Sequence, residues 1–419
     1  MSRIILKRGR DSSVRRFHPW IFSGAIAQME GSPGEGELVE VFSHDGELLG
    51  HGHYQEGSIS VRLLSFGDTP VSAALWLDKL KAAYNLRFAS GITDNSNCYR
   101  LVHGEGDSLP GLIIDYYNGV AVMQAHSAGM FLAREEVAEA LKALYGNSLK
   151  AIYDKSSATA PFKAGLALSD GYLMDVIQGF GEMESDIGAT DMSAGGEERR
   201  GGVVVSENGL LFNVDWEQGQ KTGFFLDQRD NRELVKKYSK GRRVLNLFSY
   251  TGGFSIYSLV GGALSVDSVD SSKRAVEMMD ANVSINRANS VIAKDSVHRS
   301  HCADVMEFVK ECKAGDYDLI IVDPPAFAKH RGALSNALRA YQRLNASVIG
   351  KIAPGGVVFT YSCSQVVDKT MFAEAIFSAA AQTGRSVRII GRMTQPADHP
   401  VNIYHPEGEY LKGLVLYVE

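Results

Sequence analysis

Two stretches of this chain put a reactive side chain at the end of an apolar run. Ser362-Cys363-Ser364 follows Val357 to Tyr361, and Asp323-Pro324-Pro325-Ala326-Phe327 follows Leu319 to Val322. Runs of this kind read as buried strands, and the strand ends are where an open α/β sheet presents side chains to a ligand. A cysteine is more often a small buried hydrophobe than a nucleophile. At a strand end beside a bound pyrimidine, however, a thiolate can add to carbon 6 and make carbon 5 nucleophilic. A thiol of ordinary pKa, about 8.5, is scarcely ionised at neutral pH, so this chemistry needs a nearby donor or positive charge, which the sequence does not identify. Asp323, fixed by two prolines at the mouth of the sheet, is poorly explained by stability alone. A carboxylate there can hold a flat base and exchange a proton with its ring nitrogen. Cys98, Cys302 and Cys312 lack such placement and read as structural.

A second group of residues suits a nucleoside. Asn246-Leu247-Phe248-Ser249-Tyr250-Thr251-Gly252-Gly253-Phe254 leaves the apolar Val244 to Phe248. Gly252 and Gly253 let backbone approach a ligand, although a glycine pair between strand and helix also serves as a plain turn. The run is not GxGxxG, which disfavours a pyrophosphate. Asp270 ends the following strand about 18 residues after Gly252, near the spacing at which an acid meets ribose hydroxyls. Strand alternation puts Asp267 and Asp270 on opposite faces, so one of the two faces the ligand. Asp304, ahead of the helical Val305 to Val309, can accept from an adenine amino group or cap its helix, and the two roles are compatible. Together these features indicate an adenosine-containing ligand.

The elements that position these residues follow from periodicity. From Arg243 onward strands alternate with helices: strands at Val244–Phe248, Leu264–Val269, Tyr317–Val322 and Val357–Tyr361, and helices at Phe254–Val260, Ser272–Asn286 and Leu334–Ile352. That alternation predicts an α/β, doubly wound parallel sheet of Rossmann-like type. Residues 1–72 are different, with short strands at Leu38–Phe42, Leu48–Tyr54 and Ile59–Leu64 around the Asp45-Gly46 turn, and read as a small β-barrel or sandwich. Residues 73–181 read as a central α+β domain. It has a helix at Trp76–Ala89, a hairpin at Leu112–Ala125 turning on Asn118-Gly119, a helix at Met130–Tyr145 and a strand at Leu149–Asp154. Residues 182–202, rich in Gly, Ser, Asp and Glu, read as a linker. The last domain, 203–419, opens with a second hairpin on Asn208-Gly209.

The bulk properties fit. A chain of 419 residues with 45% hydrophobic composition can bury several cores. A net charge of −6 disfavours non-specific coating of nucleic acid but leaves room for a local basic face, and Arg3, Lys7, Arg8, Arg10, Arg15 and Arg16 cluster near the N-terminus. With four cysteines, no CxxC pair, no secretory h-region and no span-length apolar run, the expected setting is cytoplasmic, with no membrane and no metal.

At these residues the chain resembles the bacterial large-subunit (23S) ribosomal RNA cytosine-5 methyltransferases that carry an N-terminal PUA domain. The resemblance rests on Arg16-Phe17-His18-Pro19-Trp20-Ile21-Phe22-Ser23-Gly24, Arg100 to Glu105 and Gly219-Gln220-Lys221-Thr222-Gly223-Phe224-Phe225-Leu226-Asp227-Gln228-Arg229. Asn246 to Gly253, Asp323 to Phe327 and Ser362-Cys363-Ser364 complete it. It covers nearly the whole chain. It implies a PUA-like RNA-binding domain first and a class I methyltransferase domain last, with Cys363 as the nucleophile. Asp323 would contact the cytosine edge and the methyl donor. Phe248, Tyr250, Thr251, Gly252, Asp270 and Asp304 would hold S-adenosylmethionine, with Gln228 and Arg229 nearby, and Lys7, Arg8, Arg15 and Arg16 would meet phosphates. The implied partner is 23S ribosomal RNA or the assembling large subunit, with the assembly state open between monomer and homodimer. The Asp-Pro region carries Ala326 and no second thiol, so the base that removes the carbon-5 proton is unassigned. Two alternatives stand beside this expectation: a methyltransferase of ribosomal guanine, which needs no cysteine, and a non-catalytic ribosome assembly factor.

Overall fold

The computed structural model of the chain describes residues 1–161, 165–176, 202–328 and 330–419. They form two compact units. The first comprises Met1–Ser206, Val214–Leu226 and Ala397–Gly408, and the second Glu207–Asn213, Asp227–Pro396 and Glu409–Glu419. The parts expected as separate domains, 1–72 and 73–181, are thus grouped together, and a segment from near the C-terminus joins them. The expected linker lies outside the described residues apart from Gly202.

In the first unit, strands β1 (Ser2–Leu6), β2 (Trp20–Phe22), β3 (Ile26–Glu30), β4 (Leu38–Phe42), β5 (Leu48–Tyr54) and β6 (Ile59–Phe66) make a six-stranded sheet in the order β2-β6-β5-β4-β1-β3. Period-two alternation sends Val39 and Val41 of β4 into a core with Ile4, Leu6, Ile21, Val61 and Leu63. Helix α1 (Ala73–Ala89) starts at Ser72, whose hydroxyl accepts from Leu75 N. A second sheet follows, with β7 (Cys98–His103), β8 (Leu112–Tyr117), β9 (Val120–Ala125), β10 (Ala151–Asp154) and β11 (Gly171–Asp175) in the order β11-β10-β9-β8-β7. Asn118 and Gly119 both take positive φ (46° and 102°), as a two-residue type I′ turn requires. The helix expected over 130–145 is two helices, α2 (Ala128–Leu132) and α3 (Arg134–Tyr145). Arg134 Nη1 donates to Phe131 O (2.8 Å) and diverts that carbonyl at the break.

The hairpin strands β12 (Gly202–Glu207) and β13 (Leu210–Asp215) turn on Asn208-Gly209. In the second unit α4 (Arg229–Ser239) precedes β14 (Arg243–Leu247), α5 (Gly253–Val260), β15 (Ser265–Asp270), α6 (Lys273–Ala288), β16 (Val297–Cys302), α7 (Val305–Glu311), β17 (Leu319–Val322), α8 (Leu334–Lys351), β18 (Gly356–Ser362), α9 (Lys369–Thr383), β19 (Val387–Met393) and β20 (Lys412–Val418). The sheet order is β16-β15-β14-β17-β18-β20-β19. It is parallel except for β20, which runs antiparallel to β18 and β19. All residues of β17 and β18 are buried, because strands covered by helices on both faces must be apolar throughout. β14 pairs with β15 on one side and β17 on the other. Chain order reverses there, which opens a crevice at the carboxyl ends of the strands. Among the described residues no helix is long and apolar enough to cross a membrane.

Candidate active site

The loop leaving β14 is held in an unusual conformation. Phe248 (φ 59°), Tyr250 (φ 45°) and Gly252 (φ 83°) all lie in the left-handed region. For the two aromatic residues this costs about 1–2 kcal/mol each. Fixed partners hold the loop: Tyr250 N donates to Asp270 Oδ2 (2.8 Å), Ser249 N to Val269 O (3.0 Å), and Asn282 Nδ2 of α6 to Thr251 O (3.0 Å). A Cβ on Gly252 would stand 2.5 Å from Met279 Cγ, so a side chain there would have to displace Met279. Gly253 lies against Arg232, whose guanidinium is paired with Glu207 by bonds of 2.8 and 2.6 Å.

Asp270 and Asp267 divide as strand alternation requires. Asp267 is buried and held by Arg299 (2.8 and 3.0 Å) and His301 (2.9 Å), which keep its carboxyl below the usual range against the effect of burial. Asp270 points to the loop end, its Oδ1 accepting from Ser272 N (2.9 Å). Each of its oxygens keeps a further lone pair for a ligand hydroxyl. Asp304 is exposed and caps α7, accepting from Glu307 N (3.0 Å). It stands two residues beyond Cys302, the β16 partner of Asp270.

Cys363 and Asp323 stand just past the ends of adjacent parallel strands, where Val322 of β17 pairs with Thr360 of β18. Both are half-buried. The serines flanking Cys363 anchor it: Ser362 Oγ donates to Tyr341 OH (2.9 Å), and Ser364 Oγ to Ala328 O (2.7 Å), in the segment that follows the Asp-Pro-Pro turn. Burial pushes the Tyr341 hydroxyl up to about 12, and the neighbouring Cys363 and Asp323 act in the same direction, so it stays a neutral hydrogen-bonding group. The Tyr361 hydroxyl, fully buried, is also raised, first by burial and then by Asp323.

The remaining expected residues are distributed as follows. Gln228 and Arg229 are buried at the start of α4, with Gln228 Oε1 accepting from Asn231 Nδ2 (2.6 Å) and Arg229 Nε 3.6 Å from Glu207. Lys7 Nζ donates to Gly24 O (2.9 Å). Arg15 is engaged by Asp11 and Glu47, each at 2.6 Å; both carboxyls are lowered and the guanidinium raised. Arg8, Arg10 and Arg16 are exposed and make no ion pair among the described residues. Although no metal was expected, His18, His405 and Glu407 bring possible ligand atoms within 4.8 Å of one another. His18 Nδ1 lies within hydrogen-bonding reach of both Trp20 N (3.2 Å) and Trp20 O (3.4 Å), and its Nε2 stands 3.8 Å from Glu407. Sequence reasoning missed Glu207, Arg232, Asn282, Tyr341 and Lys412, polar residues whose partners are distant in sequence.

The loop fits an adenosine-type cofactor on its own observations. Thr251 Oγ1 and Ser249 Oγ are buried without a hydrogen-bond partner among the described residues, beside Gly252, where the Met279 side chain crowds any added Cβ. Hydroxyls in that position are free to meet a ligand or an ordered water.

Known proteins agree. Residues 99–414 match the family model of S-adenosylmethionine-dependent methyltransferases and residues 4–66 that of a PUA-like domain. Ribosomal RNA large subunit methyltransferase I of Aeromonas salmonicida is 38% identical over 417 residues, spanning 99% of this chain and 98% of the relative. The Vibrio parahaemolyticus protein of the same name is 37% identical, spanning 99% of each. Two solved structures share the fold over 100% of both chains. One is a methyltransferase complexed with SAH (TM-score 0.78, 21% identity), the other a SAM-dependent methyltransferase from Streptococcus mutans (TM-score 0.77, 22% identity). The chain belongs to the S-adenosylmethionine-dependent methyltransferases, within the family of ribosomal RNA large subunit methyltransferase I, and carries a PUA-like domain at residues 4–66.

Proposed function

We propose that this protein methylates carbon 5 of a cytosine in 23S ribosomal RNA through a covalent adduct on Cys363. The observation that carries the proposal is the placement of Cys363 and Asp323 at the ends of neighbouring parallel strands, beside the strained loop of β14. A guanine-modifying enzyme has no use for a thiol at that position.

Phe248, Tyr250, Thr251 and Gly252 would hold the cofactor, with Asp270 available to its ribose hydroxyls, Asp304 to its adenine amino group, and Gln228 and Arg229 nearby. When bound, S-adenosylmethionine supplies an electrophilic methyl group on a positively charged sulfur. The target cytosine leaves its stack and enters the crevice. The Cys363 thiolate forms a bond to carbon 6, and the electron pair of the carbon 5–carbon 6 double bond shifts toward carbon 5. Asp323 holds a proton at ring nitrogen 3, which draws charge out of the ring as the thiolate adds. Once carbon 5 carries the methyl, its proton passes to water, the proton at nitrogen 3 returns to Asp323, and the re-formed double bond expels Cys363 as thiolate. Arg8 and Arg16, with Lys7, give the PUA-like domain its phosphate contacts, while Arg15 is already neutralised by its two carboxylates.

The test is a covalent complex with ribosomal RNA containing 5-fluorocytidine, formed by the native protein and absent in Cys363→Ala. Methyl transfer from labelled cofactor without any adduct indicates guanine or another base. No transfer at all to ribosomal RNA or immature subunits indicates an assembly factor.

A further inference from the structure

Antiparallel pairing sets Lys412 of β20 directly across from Ser362, the residue before Cys363. Its side chain is buried, with 6% of the residue exposed. Its ammonium donates to Ser364 O (2.5 Å) and Val367 O (2.6 Å), so it sits inside the turn that carries the cysteine. An ammonium has three donors, and these carbonyls take two. Among the described residues Lys412 makes no ion pair with a carboxylate. The nearby acids are used elsewhere: Asp368 caps α9 through Met371 N (2.8 Å), and Glu409 is paired with Lys369 (2.5 Å).

A buried cation bound only to neutral carbonyls is costly to a fold, and an apolar side chain of similar length would serve packing better. Burial brings the Lys412 ammonium down to about 8, opposed first by Cys363 and then by Asp368 and Glu409, while Lys369 works with burial. At neutral pH the group is therefore still mainly charged, and Cys363 is its foremost electrostatic partner. Cys363 also helps keep the Tyr341 hydroxyl neutral, as Asp323 does, both adding to the effect of burial.

We propose that Lys412 is the positioning residue that stabilises the thiolate of Cys363, both before it adds to carbon 6 and when it leaves. This rests on Cys363 being the nucleophile. The thiol loses its proton to solvent, the sulfur pair forms the bond to carbon 6, and the same pair returns to sulfur on elimination. Lys412 neither gains nor loses a proton in either step, and its charge lowers the energy of the anion at both ends.

The experiment is the pH dependence of Cys363 alkylation by iodoacetamide, read by mass spectrometry of its peptide in the full-length protein. In the native protein the midpoint is expected below the ordinary thiol value of about 8.5. Lys412→Met raises it by about one unit or more, a tenfold loss of thiolate at neutral pH, and Lys412→Arg restores most of the shift. The acidic limb of single-turnover methyl transfer moves by the same amount. An unchanged midpoint in Lys412→Met overturns the proposal. So does a native midpoint at or above the ordinary value, which needs no variant to fold. Methyl transfer that survives in Cys363→Ala removes the nucleophile reading separately, and the alkylation midpoints still decide whether Lys412 governs the thiol.

Discussion

A buried hydroxyl without a partner is a cost in the empty protein and an asset once a ligand meets it. Thr251 Oγ1 is such a group, at the turn of the β14 loop. Thr251→Val keeps the side-chain shape and removes the polar atom. The expected result is unchanged or slightly higher thermal stability without cofactor, and about three- to tenfold weaker S-adenosylmethionine binding, the worth of one hydrogen bond. Calorimetric titration beside a melting curve reads both. Equal affinity in the two proteins means the hydroxyl does not face the cofactor. Gly252→Ala should behave in the opposite way. Its φ of 83° and the 2.5 Å approach to Met279 make any Cβ destabilising by about 1–3 kcal/mol even without ligand. At this scale the sequence was a good guide to groups that end strands. Cys363, Asp323 and Asp270 stand where an apolar run stops, and that signal is local. Lys412 and Arg232 were invisible because nothing near them in sequence explains a buried cation. Their partners are the carbonyls of Ser364 and Val367 in one case and the carboxylate of Glu207 in the other.

At the scale of elements, α6 does more than cover the sheet. Asn282 on its buried face donates to Thr251 O (3.0 Å) and accepts from Asn213 N (2.7 Å) of β13, so one side chain ties the loop after β14 to the hairpin. Asn286, one turn later, accepts from Leu211 N (3.0 Å) and donates to Leu211 O (2.7 Å). Asn282→Ala leaves the buried Thr251 O and the half-buried Asn213 N without this partner and should cost about 2 kcal/mol in denaturant unfolding. Asn282→Asp keeps the acceptor for Asn213 but loses the donor to Thr251, so its excess effect should fall on cofactor affinity. If the two variants lose affinity in simple proportion to stability, the loop is not held through this residue. The elements themselves were legible where burial is two-sided. The strands β14, β15, β17 and β18 and the helices α5, α6 and α8 follow the apolar period. β16 escaped because it is an edge strand of sequence VHRSHC, whose Arg299 and His301 serve Asp267 rather than a core. α4 escaped for a related reason: its inward face carries Arg229, Asn231 and Arg232, which no hydrophobic pattern detects.

At the scale of the whole molecule, a chain of net charge −6 must confine its attraction for RNA to one face. The exposed Arg8 and Arg10 precede, and the exposed Arg16 ends, a 3₁₀ turn, Val14–Arg16, that is followed by Phe17 at φ 63°. That strained residue leaves its ring 50% exposed, 5.4 Å from Phe66 and 5.3 Å from Tyr404, itself 49% exposed. Tyr404 belongs to Ala397–Gly408, which packs with the first unit although it lies near the C-terminus, and no local signal in the sequence announces this. Arginines beside exposed rings are the combination that holds unstacked RNA: charge meets phosphate and rings meet bases. The two contributions separate experimentally. Arg16→Gln should reduce the dependence of RNA affinity on salt by about 0.7–0.9 in log–log slope, the release of one counterion. Arg15→Gln should leave the slope unchanged, because its charge is already met by Asp11 and Glu47. Phe17→Ala should weaken binding by about 1–3 kcal/mol at every salt concentration without altering the slope. Filter binding of ribosomal RNA fragments across a salt series distinguishes the three. A salt dependence that falls equally for Arg15 and Arg16 would mean that the ion pairs of Arg15 open when RNA arrives.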